Sequence, residues 1–263
     1  MGSVILAAVI IAATGLLVGL LLGIAAEKFK VPVDEKELAV RDCLPGNNCG
    51  GCGYAGCDAL AKAIANNEAA VNACPVGGSS VGNKIAAIMG KAVEDKEPEV
   101  AYVKCSGTCD KASVKYNYYG IDDCVKASMI PGRGDKKCAT GCLGLGSCTK
   151  ECQFDAIHVI GGIAVVDKEK CVACGKCIAI CPNHLIELVP KKAVYTVACS
   201  STAKGMEVKN SCEAGCISCG ICAKQCEANA ITVENNIARI DQSKCTGCGK
   251  CAAKCPQKVI VQH

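Results

Sequence analysis

Aromatic residues are scarce in this sequence of 263 residues, which contains no tryptophan, two phenylalanines and six tyrosines. Proteins that bind single-stranded nucleic acid stack bases on aromatic side chains, so this scarcity argues against that class. The three histidines, His158, His184 and His263, show no arrangement with serine, aspartate or cysteine that would support catalysis. We therefore predict no catalytic residues and no nucleic acid partner.

Motifs that cradle phosphate groups are missing as well. No G-x-G-x-x-G opens a strand-to-helix turn, and the GRGDKK segment at 132–137 lacks the spacing of a P-loop. The GLGSC segment at 144–148 is rich in glycine, but it belongs to a cysteine repeat. The sequence therefore predicts no nucleotide or dinucleotide site, and no substrate-converting site of its own.

Cysteine, by contrast, occurs 26 times. This density indicates either disulfides in an oxidising compartment or metal ligands in a reducing one. Disulfide frameworks do not require cysteine triplets at C-x2-C-x2-C spacing, whereas an iron–sulfur cube needs several thiolates from one tight loop. Zinc sites pair two separated C-x2-C motifs, a division that a triplet and a distant Cys-Pro do not allow. The spacing therefore favours iron–sulfur clusters.

Eight cysteines recur in register 74 residues apart. The first copy consists of Cys138, Cys142, Cys148, Cys152, Cys171, Cys174, Cys177 and Cys181, and the second of Cys212, Cys216, Cys222, Cys226, Cys245, Cys248, Cys251 and Cys255. The second copy adds Cys219, which completes the C-x2-C-x2-C-x3-C run of two-cluster bacterial ferredoxins. In such runs three cysteines hold one [4Fe–4S] cube and the fourth holds its neighbour.

This crossed-ligand rule predicts three complete cubes. In the second copy the ligand sets are Cys216, Cys219, Cys222 and Cys255 for one cube, and Cys245, Cys248, Cys251 and Cys226 for the other. In the first copy the complete set is Cys171, Cys174, Cys177 and Cys152.

The other cube of the first copy lacks a ligand, because Leu145 stands where the second copy has Cys219. Three ligands remain, and Cys138 is the nearest substitute for the fourth, which predicts the set Cys138, Cys142, Cys148 and Cys181. However, Cys212 occupies the matching place in the second copy, where no substitute is needed. A three-iron cluster and a ligand from Cys124 therefore stay open as alternatives.

A separate cysteine group lies nearer the N-terminus, in the Gly-rich segment LPGNNCGGCGYAGC. Its spacing predicts a one-cluster domain with the ligands Cys49, Cys52, Cys57 and Cys74. An Ala-rich helix over 58–69 would return the chain to Cys74, and a further helix is predicted over 79–94. Cys43 lies outside this set, and we interpret it as a spare or buried thiol.

Five cubes use twenty of the cysteines and leave six: Cys43, Cys105, Cys109, Cys124, Cys199 and Cys212. Cys105 and Cys109 with Cys124 could seed a sixth cluster, and the alternative is a set of buried thiols beside the clusters. Each cube with its four thiolates carries about −2, so five of them would change the formal charge from +4 to about −6. The formal basicity therefore does not indicate a nucleic acid partner.

Residues 4–26 form an apolar run without charged residues, about the length of ~20 residues that spans a bilayer. No lysine or arginine precedes the run, which argues against a cleaved signal peptide. Lys28 and Lys30 follow it, so the positive-inside rule places the remaining chain in the cytoplasm. Glycines at four-residue spacing, Gly15, Gly19 and Gly23, would allow close approach of a helix from a partner subunit. We predict a retained, single-pass membrane anchor.

These segments predict an α+β fold in which a transmembrane helix precedes a small Fe–S domain and two tandem two-cluster ferredoxin-like units. The predicted divisions are an anchor over 1–30, a single-cluster domain over 31–93, a linker over 94–104, and units over 105–190 and 191–263. Each unit should contain a β-hairpin, with turns at Gly161-Gly162 and Asn235-Asn236.

An anchor, the segment LPGNNCGGCGYAGC with its later Cys-Pro, and tandem ferredoxin units together resemble the B subunit of the Rnf complex in its polyferredoxin form. The resemblance covers nearly the whole chain. It implies a cytoplasm-facing subunit that accepts electrons from reduced ferredoxin and passes them into a membrane complex. That complex reduces NAD and translocates Na⁺ or H⁺, with the flavin and nicotinamide sites on other subunits.

Two other functions compete with this one. A ferredoxin-like subunit of a membrane hydrogenase or of a formate-oxidising complex would need the same clusters. A zinc-stabilised or redox-sensing membrane scaffold would also need cysteines, although one cluster would be enough for a sensor.

Overall fold

A computed structural model describes residues 2–29, 34–93 and 97–262 of the protein. The predicted anchor falls on the first helix, α1, Gly2–Lys28, whose apolar side chains are exposed over 11–24. The side chains of 3–10 and of residue 26 lie outside the described set, as do Lys30 and His263. Over the residues that are described, no helix combines the length and the apolar character needed to cross a membrane.

Three helices enclose the core of the first cysteine module. They are α2, Glu35–Cys43, α3, Cys57–Ala65, and α4, Gly78–Met89, and their fully buried side chains include Leu60, Ile64 and Ile85. The helix predicted over 79–94 ends early because Gly90 adopts the left-handed conformation, with φ 64°, that commonly ends a helix. Helix α2 was not predicted, and Asp34 caps it by accepting a hydrogen bond from the backbone N–H of Lys36.

The first ferredoxin-like unit contains four short strands and three short helices. In chain order these are β1, Glu99–Val103; α5, Cys124–Met129; α6, Ser147–Glu151; β2, Ile157–Ile160; β3, Ile163–Val166; α7, Lys176–Ile180; and β4, Ile186–Pro190. Strand β1 pairs antiparallel with β4, and β2 pairs with β3. Strand β1 lies inside the segment 94–104, which was predicted as a linker. Residues 94–96 of that segment are outside the described set.

The second unit repeats this plan. Its elements are β5, Tyr195–Val197; α8, Gly205–Ser211; α9, Ile221–Lys224; β6, Ile231–Glu234; β7, Ile237–Ile240; α10, Lys250–Ala253; and β8, Ile260–Gln262. Strand β5 pairs with β8, and β6 pairs with β7, both antiparallel. The first and last strands of each unit therefore pair, so that each unit closes on itself.

Both hairpin predictions are confirmed. The turn residues have positive φ in each case, 58° and 75° at Gly161 and Gly162, and 49° and 63° at Asn235 and Asn236. Two successive positive φ values are what a two-residue turn of type I′ requires, and glycine and asparagine tolerate them best. Cysteine side chains make up much of each unit's core, together with residues such as Ile157, Ile231 and Ile237.

Candidate metal centres

All 26 cysteines are free thiols in the structure. Among the residues described, no three histidine, cysteine, aspartate or glutamate side chains form a group that could hold a metal ion. The thiols instead surround recesses. The four ligands of a [4Fe–4S] cube each bind a different iron, so the donors enclose a volume and do not meet at one point.

The first module brings all four of its predicted ligands to one recess of about 290 Å³, lined by Cys49, Cys52, Cys57 and Cys74. Asn48 fixes the loop, because its side-chain oxygen accepts a hydrogen bond of 2.8 Å from the backbone N–H of Cys57 at the start of α3. At the other side of the recess, the N–H of Gly77 points to the sulfur of Cys74 at 3.4 Å. This ring of thiols with backbone donors suits an anionic cluster.

A second recess, of about 370 Å³, contains the predicted set Cys152, Cys171, Cys174 and Cys177. Backbone N–H groups again face the sulfurs: Ala156 donates to Cys152 and Ala101 donates to Cys171, both at 3.4 Å. Ala101 lies on β1, so this strand supplies a donor as well as a sheet edge.

The altered site of the first unit is also assembled, but with a different fourth thiol. A recess of about 370 Å³ is lined by Cys142, Cys148 and Cys181, as predicted, and by Cys124. Cys138 does not line this recess. Cys124 is the first residue of α5, and its backbone N–H donates to the Ser147 hydroxyl at 2.7 Å. It packs in one small cluster with Leu143 and Leu145, beside the position that lacks a cysteine.

Sequence reasoning kept Cys124 only as an alternative because it lies outside the repeat. The useful signal was the unequal length of the two copies. The chain between β1 and Cys138 is longer than the chain between β5 and Cys212, and the additional residues form α5. This insertion brings Cys124 to the recess.

The second unit surrounds a recess of about 350 Å³ with the predicted ligands Cys216, Cys219, Cys222 and Cys255. In the remaining predicted set, burial is the largest cause of the raised pKa of Cys251. The nearby thiols of Cys245 and Cys226 raise it as well, so these three cysteines lie close together. Cys248, the fourth member, is exposed, and a hydrogen bond from the Lys250 backbone N–H lowers its pKa.

Burial and neighbouring thiols keep several of these groups protonated when no metal is bound. Burial, together with a smaller contribution from adjacent cysteines, raises the pKa of Cys148 to about 12 and that of Cys177 to about 12. Burial likewise raises the pKa of Cys222 to about 11. Metal ligation requires thiolates, so binding would release protons from these sites and would stabilise the fold at the same time.

The first module lies directly against the first ferredoxin-like unit. A Cβ added to Gly51 would lie 2.8 Å from the carbonyl oxygen of Cys174 and 2.9 Å from its Cα, so only glycine permits this approach. Burial is the largest cause of the raised pKa of Cys174, and Cys49 is near enough to contribute to it. Two thiol-lined recesses are therefore neighbours at this contact.

Three family models match separate segments of the chain. The model described as "Putative Fe-S cluster" matches residues 44–76, a 4Fe-4S binding domain matches residues 164–187, and a 4Fe-4S dicluster domain matches residues 215–259. These segments contain thiols of the recesses described above.

Relatives that match most of the chain identify its family more specifically than these separate domains do. The B subunit of the Na⁺-translocating ferredoxin:NAD⁺ oxidoreductase complex of Acetobacterium woodii is 46% identical over 232 residues, covering 88% of this chain and 69% of the relative. The B subunit of an ion-translocating oxidoreductase complex of Methanosarcina acetivorans is 44% identical over 252 residues, 95% of both proteins. The chain belongs to the family of Rnf B subunits.

Members of this family at similar identity differ in the ion that their names give. The B subunit of the proton-translocating ferredoxin:NAD⁺ oxidoreductase complex of Clostridium ljungdahlii is 40% identical over 245 residues, covering 92% of this chain and 86% of the relative. Family membership and the 4Fe-4S domains together make this chain an iron–sulfur electron-transfer subunit. This favours the electron-transfer prediction over the hydrogenase and scaffold alternatives.

Proposed function

We propose that this protein is a membrane-anchored electron wire that accepts electrons from reduced ferredoxin and passes them to other subunits of a complex. That complex would couple NAD reduction to the translocation of Na⁺ or H⁺. The observation that carries the proposal is the succession of thiol-lined recesses, four of which contain four cysteines each. Bound [4Fe–4S] clusters would supply one-electron redox chemistry at each of them.

Four of the proposed ligand sets each line one recess, and the remaining set, Cys226, Cys245, Cys248 and Cys251, is proposed from the cysteine spacing. Four of the five sets are those predicted from the spacing: Cys49, Cys52, Cys57 and Cys74; Cys152, Cys171, Cys174 and Cys177; Cys216, Cys219, Cys222 and Cys255; and Cys226, Cys245, Cys248 and Cys251. In the fifth, Cys124 replaces Cys138 beside Cys142, Cys148 and Cys181, because Cys124 lines the recess and Cys138 does not.

Electrons would enter at the second unit. Two of its proposed ligands, Cys219 and Cys248, are exposed. In the first unit, by contrast, Cys174, which occupies the repeat position of Cys248, is in contact with Gly51 of the first module. The second unit also carries exposed lysines close in sequence to its proposed ligands, among them Lys224, Lys254 and Lys258. Lysines on such a surface would attract an acidic electron carrier and speed its encounter with the clusters.

Electrons would leave through the first module, which is nearest in sequence to the proposed anchor. Helix α1 exposes large apolar side chains along its described part, such as Leu16 at 72% and Leu22 at 64%, and Lys28 lies in its last turn. A lipid or protein environment would cover these side chains, and Lys28 would remain at the cytoplasmic surface. We expect removal of residues 2–29 to release the chain from membranes without loss of its iron.

The proposal is tested with the full chain, purified anaerobically in detergent. The five sets should contribute about 20 irons and as many acid-labile sulfides per chain, and reduced ferredoxin should bleach their visible absorbance. Zinc in place of iron, an iron content far below this, or failure of ferredoxin to reduce the protein would refute it.

A further inference from the structure

Six cysteines remain once the five sets are filled: Cys43, Cys105, Cys109, Cys138, Cys199 and Cys212. Cys43 packs against the core of the first module, and Cys109 is exposed. The other four lie where the two ferredoxin-like units meet, and each unit contributes two of them.

The two pairs occupy equivalent places. Cys105 follows the end of β1 by two residues, as Cys199 follows the end of β5. Cys138 precedes Cys142 by four residues, as Cys212 precedes Cys216. This correspondence explains why Cys212 exists in a unit that needs no substitute ligand.

Backbone hydrogen bonds between the units hold these four segments together. The N–H of Ser106 donates to the carbonyl oxygen of Ala198 at 3.0 Å, which joins the segments of Cys105 and Cys199. An isolated bridge pairs Ala112 with Cys212. Ser113 extends that connection, because its carbonyl oxygen accepts from the N–H of Lys137, beside Cys138, at 2.8 Å.

The sulfurs themselves converge. A Cβ placed on Gly107 would lie 3.2 Å from the sulfur of Cys212 and 3.7 Å from that of Cys105, so both sulfurs face the same point. Cys138 interacts electrostatically with Cys105, Cys199 and Cys212. One thiol is therefore close to the other three, and the four form a group.

Backbone donors point at this group as they do at the recesses of the other sets. The N–H of Cys142 donates to the sulfur of Cys105 at 3.4 Å, and the N–H of Ser201 donates to the sulfur of Cys199 at 3.4 Å. Such N–H···S contacts stabilise negative charge on sulfur.

A buried lysine gives an independent indication of an anionic group. Lys136 is only 4% exposed, and its Nζ donates to the carbonyl oxygens of Gly107 at 2.9 Å and Gly162 at 2.7 Å. Lys136 also interacts electrostatically with Cys105 and Cys212. A buried ammonium group is costly unless negative charge compensates it, and four neutral thiols would not do so. A cube with four thiolates would supply that charge.

We propose that Cys105, Cys138, Cys199 and Cys212 hold a sixth [4Fe–4S] cluster at the junction of the two ferredoxin-like units. The inference rests on the proposed function, since it extends the same wire. Its position would connect two of the other sites. Cys105 accepts a hydrogen bond from Cys142 of the first unit, and Cys199 accepts one from the backbone of Cys216 of the second. Electrons that cross between the units would pass through this site.

The first test uses the unmodified holoprotein. Brief anaerobic alkylation followed by peptide mass spectrometry should label Cys109 rapidly and Cys43 slowly, and should leave the other 24 cysteines unlabelled. After the iron is removed by a chelator, Cys105, Cys138, Cys199 and Cys212 should become labelled as well. Labelling of these four in the holoprotein would overturn the sixth site. Labelling of cysteines in the five other sets would instead contradict the proposed function.

The second test compares two single variants by iron content and by electron paramagnetic resonance of the reduced protein. Cys212→Ser should lower the iron from about 24 to about 20 per chain and should remove one cluster signal. The matched control, Cys109→Ser, removes an exposed thiol four residues from Cys105 and should change neither value. Full iron content in Cys212→Ser, a wild-type content of about 20 irons, or one zinc per chain would overturn the proposal. If Cys212→Ser does not fold, the wild-type iron content and the alkylation pattern decide.

Discussion

The two ferredoxin-like units share their strands and hairpin turns but differ at both ends of their cluster pair. At one end, the second unit has Cys219, whereas the first has Leu145 and brings Cys124 from an insertion. At the other end, Cys248 of the second unit is exposed, whereas Cys174 at the same repeat position lies under Gly51. The first unit is therefore enclosed by neighbouring segments at positions where the second is open.

Under the proposed function, this difference follows from the position of each unit along the electron wire. A unit in the middle must transfer electrons to neighbours within the same chain, so contacts with those neighbours cover its ends. A terminal unit must meet a separate protein, which requires exposed ligands and a surface that attracts the donor. One duplicated domain can thus serve as an internal relay or as a docking unit, according to which of its ends are covered.

The largest effect is expected from removal of Cys124. The Cys124→Ser variant should lose about four irons per chain, and the first module should no longer be reduced by ferredoxin on the time scale of the wild type. The measurements are iron content and the rate of absorbance bleaching. Leu145→Cys restores the residue that the second unit has, so the double variant should regain the lost iron. Full iron content in Cys124→Ser would show that another residue is the ligand.

A smaller effect is expected from separating the first module from the first unit. Gly51→Val places a side chain against the backbone of Cys174, so the two modules must move apart. We expect all clusters to remain bound and the cluster of the first module to be reduced several-fold more slowly. Stopped-flow reduction by ferredoxin measures this rate. Gly23→Ala is the control, because its methyl group meets nothing within 4 Å. An unchanged rate in Gly51→Val would argue against electron transfer across this contact.

A charge reversal at a matched lysine should affect reduction by ferredoxin in the second unit but not in the first. Lys224 and Lys150 are both exposed and lie 74 residues apart, at the same place in the repeat. Lys224→Glu should slow reduction by ferredoxin about two- to fivefold at low ionic strength, and added salt should diminish the difference. Lys150→Glu should leave the rate unchanged. Equal slowing by both changes would place the docking surface elsewhere or on both units.

The smallest effect concerns the hairpin turns. Asn235→Ala forces alanine into the left-handed conformation that asparagine now adopts, at a cost of about 1 kcal/mol. We expect slightly faster cluster loss in denaturant, measured by absorbance. Asn235→Gly, which matches Gly161 of the first unit, should not accelerate it. Faster loss in the glycine variant would show that the asparagine side chain itself stabilises the turn.

Cysteine spacing and turn residues were sufficient to predict both hairpins and to group all four thiols of three of the recesses. They were insufficient for Cys124 because an insertion lies outside any repeat, and only tertiary packing brings it beside Leu145. The group at the junction was missed for the same reason, since its four cysteines are far apart in sequence and come from both units. Helix α2 has little apolar periodicity, and its position depends on Asp34 and on packing against α3.

The pairing of the first and last strands in each unit has a consequence for synthesis of the protein. The first module can close once residues 49–74 are available, but β1 must wait for β4, and β5 must wait for β8 near the C-terminus. Iron loading would therefore proceed from the N-terminal module outward as the ribosome releases each closing strand. Under the proposed function, a chain that ends before β8 would contain a loaded inner section without the unit that we propose to meet the donor.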